Sequence, residues 1–415
     1  MQEVLKQISP SKEERAQFSK TINSFLQKLN AQLKDGKALL GGSGSKDTWL
    51  AGSKDADIFI QFDFNKYASN SDQLSEVLEK HLKKAFPKLK IERFHGSRDY
   101  FNVQYENITF EVIPILKIKK SEEAVNITDI SPLHSIWVNK HTVNMKDDIR
   151  LAKKFCWAYG LYGAESYIRG FSGYVIEILI AYYGSFGKLL QASLKWKEKD
   201  LVDPEKYYPK KDVQYHLNKS KLQSPLIVID PVDKRRNAAA ALNVEKFNLF
   251  KKIAKEYLKK PTAKFFEKES WNYESLKKEA PKSKLHLLFL EITAFEGKED
   301  VVGAKLMKAF EYLTSELSEF GIKKFGWEWD KNTSAKFYFL LEKDKLPEFE
   351  VRAGPPLKLK EFVADFKKKN QNTYEKKGRI MAKVKVENPK LADRIKFLVQ
   401  QEYFKEKIKE VKVRF

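Results

Sequence analysis

Leu39-Leu40-Gly41-Gly42-Ser43-Gly44-Ser45-Lys46, followed a few residues later by Asp55-Ala56-Asp57-Ile58-Phe59-Ile60, is the part of this chain that decides its fold. An apolar run stops at glycines, which let the backbone turn sharply and approach a ligand closely. Ser43 follows, where a short helix can begin with free N–H groups suited to a phosphate. Asp55 and Asp57 stand two apart in a strand-like run, so both carboxylates point to one face. Two neighbouring anions are costly unless a divalent cation or a shared proton neutralises them. Hard oxygen ligands beside a phosphate site favour magnesium, and the set is suited to two-metal phosphoryl or nucleotidyl transfer. Alone, an Asp-x-Asp is more often a solvated strand end and a Gly-Ser a simple turn. Their order, with a hydrophobic strand behind each, favours the site.

A third carboxylate is expected on a neighbouring strand. Phe101-Asn102-Val103-Gln104-Tyr105 and Ile108-Thr109-Phe110-Glu111-Val112-Ile113-Pro114 flank Glu106-Asn107, a plausible hairpin turn. Glu111 interrupts an apolar, β-branched strand, so it sits at a site or on a wet sheet face. By itself the wet face is the commoner outcome.

The head of the chain resembles the nucleotidyltransferase superfamily that includes DNA polymerase beta, poly(A) polymerase and the CCA-adding enzymes. Gly42-Ser43-Gly44-Ser45-Lys46-Asp47-Thr48-Trp49-Leu50-Ala51-Gly52 is similar to the Gly-Ser-x-Ala-Lys-Gly-Thr-Trp-Leu-x-Gly form of archaeal, class I CCA-adding enzymes. Asp47 replaces a glycine of that pattern and Ser53 an aspartate; Asp47 puts an extra anion near the expected triphosphate. Where the family has Asp-Val-Val-Pro, this chain has Glu111-Val112-Ile113-Pro114. A glutamate is one methylene longer and can still ligate a metal or activate a 3′-hydroxyl, with shifted geometry.

Further motifs extend the resemblance. Lys146 to Tyr159 reads as a helix opening with acids, broken by Gly160. Tyr162-Gly163-Ala164-Glu165 and Arg169-Gly170-Phe171-Ser172-Gly173-Tyr174 lead into an apolar helix from Val175 to Tyr183, and resemble the neck of the same enzymes. The resemblance implies His134, Lys153 and Tyr162 as triphosphate contacts, with Gly42, Ser43 and Lys46 completing the grip from the head. Ammonium, imidazole and hydroxyl groups can all donate to phosphate oxygens. By spacing alone, Lys153 reads as a solvated helix lysine and His134 as structural. Ile229-Asp230-Pro231-Val232-Asp233-Lys234-Arg235-Arg236-Asn237-Ala238-Ala239-Ala240 reads as a strand end, a turn and an alanine-rich helix. It resembles the family's Asp-Pro-x-Asp-x-x-Arg-Asn-Val-Ala motif, whose arginine reads the incoming base. That role maps best to Arg236, with Arg235 as its neighbour; without the family, both read as surface charges.

Composition bounds the remainder. A chain of 415 residues is too long for one core. No apolar run approaches the ~20 residues of a membrane span. The Met1-Gln2-Glu3-Val4-Leu5-Lys6 start has no signal-peptide core, so a cytoplasmic protein is expected. Cys156 is the only cysteine, which excludes an intrachain disulfide or a cysteine zinc cluster, and its place between Phe155 and Trp157 favours burial. The net charge is +22, and residues 351–415 carry 19 Lys/Arg against 8 Asp/Glu, half of that excess. Such a skew suits a polyphosphate partner. A lysine-rich soluble surface is the bland reading of the same numbers; beside the nucleotidyltransferase head, RNA is the better one.

Along the chain, residues 10–34 read as a first helix with a Ser11–Glu14 capping box, and Asn70 to Phe86 as another, capped near Ser71 or Asp72. Leu285 to Ile292 and Ala335 to Leu341 read as strands, and Asp300 to Phe320 as an amphipathic helix. Arg352-Ala353-Gly354-Pro355-Pro356 reads as a break before a helix from Leu357 to Phe366. The expected fold class is α+β and multidomain: a DNA polymerase beta-like nucleotidyltransferase head sheet (1–130), a helical neck (131–255), and an α+β RNA-binding body and tail (256–415). The resemblance implies addition of C, C and A to the 3′ end of tRNA from CTP and ATP, with Asp55, Asp57 and Glu111 holding Mg2+. It also implies tRNA acceptor-stem and T-arm contacts, a homodimer and no membrane partner. Two alternatives stand beside it: a poly(A) polymerase or oligoadenylate synthetase-like enzyme, or a catalytically silent RNA-binding homologue.

Overall fold

The computed structural model describes residues 1–209 and 212–415, and the chain separates into two compact units, Met1–Glu269 and Ser270–Phe415. In the first unit, α1 (Gln2–Ile8) precedes α2 (Lys12–Asn30), whose N-terminus carries the expected capping box. Glu14 N–H donates to Ser11 Oγ, and Ser11 N–H donates to the Glu14 carboxylate. Phe18, Ile22, Phe25 and Leu29 recur at helical spacing along α2 and are buried. They pack on a mixed sheet built from β1 (Gly36–Leu40), β2 (Asp55–Phe62), β3 (Ile91–Phe94), β4 (Tyr100–Tyr105) and β5 (Ile108–Leu116), in the order β1-β2-β5-β4-β3. Only β2 and β5 run parallel.

Alternation along the strands sets the two faces. Ala56, Ile58, Ile60 and Phe62 of β2, Phe110 and Val112 of β5, and Phe101 and Val103 of β4 are buried in the head core. Phe25 stacks on Phe110 with ring centroids 3.9 Å apart. Asp55, Asp57, Thr109, Glu111, Asn102 and Gln104 occupy the intervening positions, and so lie on the opposite face. Glu106-Asn107 makes the two-residue turn between β4 and β5, with Glu106 at φ +53°.

Between β1 and β2 comes the short helix α3 (Gly42–Lys46); after β2 come α4 (Phe64–Tyr67) and α5 (Leu74–Ala85). The helix expected from Asn70 begins later than its cap signals suggest. Ala68–Gln73 form a 3₁₀ segment kinked at Asn70, and neither Ser71 nor Asp72 caps α5, whose N-cap is Gln73.

Helices α6 (Ser131–His141), α7 (Lys146–Ala158), α8 (Gly173–Tyr183) and α9 (Phe186–Ser193) build a second core with α1. The unit is completed by β6 (Asp200–Val202), α10 (Val213–His216), β7 (Leu226–Val228) and α11 (Val244–Lys259), with β6 and β7 paired in parallel. Cys156 is buried in this core, and burial pushes its thiol well above the ordinary range. The boundary expected at 255/256 falls inside α11, whose Phe247, Phe250, Ile253, Ala254 and Tyr257 belong to the neck core. The alanine run after Arg236 is turn, not helix. Asn237 pins it there: its Oδ1 accepts from Val228 N–H and Ala239 N–H, and its Nδ2 donates to Lys221 O.

The second unit comprises α12 (Tyr273–Lys282), β8 (His286–Thr293), α13 (Glu299–Glu316), β9 (Ile322–Trp329), β10 (Ser334–Leu341), β11 (Phe349–Pro356), α14 (Lys360–Lys369), β12 (Thr373–Lys376), β13 (Arg379–Lys385), α15 (Leu391–Gln400), α16 (Glu402–Lys405) and β14 (Glu410–Arg414). One antiparallel sheet runs β14-β8-β10-β9 and a smaller one β11-β13-β12. The break expected at Arg352–Pro356 is instead the end of β11. That strand lies at a sheet edge, where proline costs no ladder bond, and its register shifts between Ala353 and Pro356. No helix among the described residues is long and apolar enough to cross a membrane.

Candidate active site

The polar face of the head sheet is ordered by register. Asp57 of β2 stands opposite Glu111 of β5, Glu111 opposite Asn102 of β4, and Asp55 opposite Thr109. Cross-strand partners share a face, so Asp57, Glu111 and Asn102 form a row across three strands with Asp55 alongside.

The glycines before Ser43 are fitted to this row. Gly41 N–H donates to Asp57 O at 2.7 Å. A Cβ on Gly42, at φ +53°, would lie 1.5 Å from Asp57 Oδ2, and one on Gly41 would lie 2.3 Å from the Phe59 ring. The Asp57 carboxylate thus occupies space that only glycine leaves open, and α3 starts directly over it. Burial raises the Asp57 carboxyl above its ordinary range; Lys46 opposes this and Asp55 adds to it.

This donor set suits a hard divalent cation. Its candidate ligands are oxygens, it holds two carboxylates two residues apart on a strand, and the buried Asn102 Oδ1 opposite Glu111 has no hydrogen-bond partner among the described residues. The carboxylates share a face through register and are not drawn into one cluster: no three His, Cys, Asp or Glu side chains converge as a metal site among the described residues.

Asp47, the extra anion of the sequence, is neutralised. It adopts φ +50°, a left-handed conformation that glycine takes freely and aspartate tolerates. Its carboxylate pairs with Arg15 and, at 2.8 Å, with the buried Arg150. Arg150 also donates to the Asp47 and Trp49 carbonyls.

Lys46 and Lys153 meet on one residue that sequence reading passes over. Glu177 lies in the apolar run of α8 and is fully buried. It accepts from Lys46 Nζ at 2.5 Å, Thr48 Oγ1 at 2.6 Å and Lys153 Nζ at 2.9 Å. Burial opposes its charge, but the two ammonium groups and these hydrogen bonds hold its carboxyl down at about 2. Lys153 is only 2% exposed, far from the solvated helix lysine its spacing suggests. The signal available was a single acid inside Val175-Ile176-Glu177-Ile178-Leu179, since a charge on an apolar helix needs a partner.

Tyr162 borders the same cluster. The Tyr-Gly and Gly-Phe motifs are paired backbone: Gly163 N–H donates to Phe171 O, and Phe171 N–H to Leu161 O. A Cβ on Gly173, the first residue of α8, would lie 3.0 Å from Tyr162 Oη and 3.6 Å from Lys153 Nζ. Burial raises the Tyr162 hydroxyl, so it remains a donor at neutral pH.

His134 and Arg236 converge on Asp230, which is fully buried. His134 Nε2 donates to Asp230 Oδ2 at 3.1 Å, Arg236 Nη1 to the same oxygen at 2.7 Å, and Tyr174 Oη to Oδ1 at 3.0 Å. Burial works against the Asp230 charge, and His134 with Arg236 overcomes it, leaving this carboxyl well below its ordinary range. Tyr174 carries no site signal of its own in the sequence, yet it joins the groups: its ring stacks on His134 at 4.1 Å, and Lys46 Nζ lies 5.8 Å from its centroid. Arg235 turns away to Asp233 at 3.1 Å, with most of its side chain exposed. Among the sequence-derived candidates, then, Lys46 joins Lys153, His134 joins Arg236, and Arg235 stands apart.

A polymerase beta-like sheet with this carboxylate row beside a glycine-opened helix defines a nucleotidyltransferase. Residues 1–148 match the Second Messenger Oligonucleotide or Dinucleotide Synthetase domain family, and residues 147–267 the tRNA nucleotidyltransferase, second domain, family. The fold is also that of Cid1 poly(U) polymerase, with a TM-score of 0.50 at 13% identity, covering 64% of this chain and 97% of that one. The CCA-adding enzyme of Nanoarchaeum equitans is 35% identical, covering 84% of each chain, and that of Sulfurisphaera tokodaii is 30% identical over 90% of this chain and 85% of its own. The chain belongs to the CCA-adding enzyme family.

Proposed function

We propose that this protein adds C, C and A, without a nucleic-acid template, to the 3′ end of tRNA from CTP and ATP, releasing pyrophosphate. The observation that carries this reading is the register that sets Glu111 beside Asp57 under Gly42, in a chain of this family. Asp55, Asp57 and Glu111 would hold Mg2+, which would lower the pKa of the 3′-hydroxyl and offset charge on the leaving pyrophosphate. Glu111 would complete the site on the side of the 3′-hydroxyl. The 3′-oxygen bonds to the α-phosphorus as the bond to the β-phosphate oxygen breaks.

Gly42 admits the chain close to the carboxylates. Ser43, Lys46, Lys153 and Tyr162 donate to the triphosphate, and His134 adds a donor from α6. Arg236 offers paired in-plane donors that match cytosine O2/N3 and adenine N1, with Asp230 setting its direction. Arg235 is its neighbour in the motif and plays the smaller part. The basic 351–415 region and the rest of the second unit take the tRNA acceptor stem and T-arm, and the enzyme works in the cytoplasm as a homodimer.

The test is incubation with a tRNA ending at its discriminator base, labelled CTP or ATP, and magnesium. This reading expects C to be added before A and extension to stop after CCA. Extension by A alone marks a poly(A) polymerase-type enzyme, and a gel shift without addition marks a silent RNA-binding protein; either result overturns it.

A further inference from the structure

Glu177 is a fully buried acid that the proposed chemistry does not use. An ammonium has three protons to donate. Lys153 commits all three, to Thr48 O at 3.2 Å, Thr48 Oγ1 at 2.9 Å and Glu177 Oε1 at 2.9 Å. Lys46 binds the other carboxylate oxygen, Oε2. The two cations come from separate elements, α3 and α7, and the anion from a third, α8. The two oxygens of Glu177 thus divide the two ammonium groups between them, Oε2 accepting from Lys46 and Oε1 from Lys153.

We infer that Glu177 is a positioning residue that stands in for the triphosphate: in the nucleotide-free protein its carboxylate holds Lys46 and Lys153 at the site, and nucleotide binds by competing with it for these two ammonium groups. The inference rests on the reading of Lys46 and Lys153 as triphosphate contacts. Two buried cations without a counter-ion are strongly unfavourable, so an anion is required there before the nucleotide arrives. The carboxylate meets that need at a cost to nucleotide affinity. A mere brace between α8 and the head predicts the opposite, since loosening it disorders the lysines and weakens binding.

The test is CTP binding, with magnesium and without tRNA, measured by calorimetry on the full chain. Glu177→Gln is expected to bind CTP about tenfold more tightly than the natural protein, the worth of one charge-assisted hydrogen bond no longer contested. The same variant should melt at a lower temperature when free and gain more from CTP than the natural protein does. Equal or weaker binding by Glu177→Gln, in a protein whose CTP affinity falls with Lys46→Met, overturns the inference and leaves the triphosphate contacts standing. If Lys46→Met and Lys153→Met both leave CTP affinity unchanged, the reading of those lysines falls, and the inference with it. Should Glu177→Gln not fold, the pair Lys153→Met with Glu177→Gln keeps the cluster at its natural charge. It is expected to bind CTP more tightly than Lys153→Met alone, and parity between the two overturns the inference.

Discussion

Glu111 and Asp57 are cross-strand partners in the only parallel pair of the head sheet, so the third candidate carboxylate lies beside the second although 54 residues separate them. If Glu111 completes the metal site, Glu111→Gln should be nearly inactive, because an amide cannot serve as an anionic ligand. Glu111→Asp should keep part of the activity or gain some. Rates of CTP addition to tRNA lacking CCA decide this; full activity in Glu111→Gln would place the third carboxylate elsewhere.

Gly42 gives a prediction that couples stability to activity. Its φ is +53°, and a Cβ added there would come within 1.5 Å of Asp57 Oδ2, which leaves no room for a side chain. Gly42→Ala is expected to lose roughly 1–3 kcal/mol from backbone strain alone, and nucleotide addition should fall further because Asp57 must move. Urea unfolding and addition assays on one preparation would check both, and an unimpaired variant would show that the carboxylate does not need this cradle.

Base selection should follow the partnership of Arg236 with Asp230. Arg236→Ala is expected to weaken choice of CTP and ATP over UTP and GTP by roughly ten- to a hundredfold, the worth of about 1.5–3 kcal/mol in charged hydrogen bonds. Arg235→Ala, whose guanidinium faces Asp233 at the surface, should change it little. Incorporation of all four nucleotides by the two variants would separate these roles, and the reverse ranking would move the base contact by one residue.

The acid limb of stability should carry Glu177. Its folded carboxyl sits at about 2 against an ordinary 4.5, so its stabilisation is complete above pH 4.5 and is lost as pH falls through 2. The interval corresponds to about 3 kcal/mol. Glu177→Gln should therefore show a shallower loss of unfolding free energy between pH 4.5 and 2, by up to one proton, measured from denaturant midpoints. An unchanged slope would mean that Glu177 titrates alike in the folded and unfolded protein.

Local chemistry was legible wherever a residue's role depends on its sequence neighbours. The Ser11–Glu14 box, the alternation that puts Asp55 with Asp57, and the Glu106-Asn107 turn all follow from spacings of two or three residues. Features set by distant partners were not. Asn70 to Gln73 carries cap residues yet kinks, and the alanines after Arg236 stay out of a helix because Asn237 bonds to Val228 and Lys221. Arg352 to Pro356 reads as a break because its place at a sheet edge, where prolines fit, depends on pairing with β13. The candidate site divides in the same way. Its residues could be named from motifs, whereas the roles of Glu177, Asp230 and Tyr174 in gathering Lys46, Lys153, His134 and Arg236 show only when strands and helices far apart in sequence are brought together.

Asp57 tests the central claim most directly. Asp57→Asn keeps the size of the side chain and removes its charge, while the basic 351–415 region proposed to take the tRNA is untouched. With tRNA lacking CCA, labelled CTP and ATP, and magnesium, the natural protein should add C, C and A and stop. Asp57→Asn should add nothing measurable and still shift the tRNA on a gel at the same protein concentration. Addition by Asp57→Asn at a rate close to that of the natural protein would contradict the account.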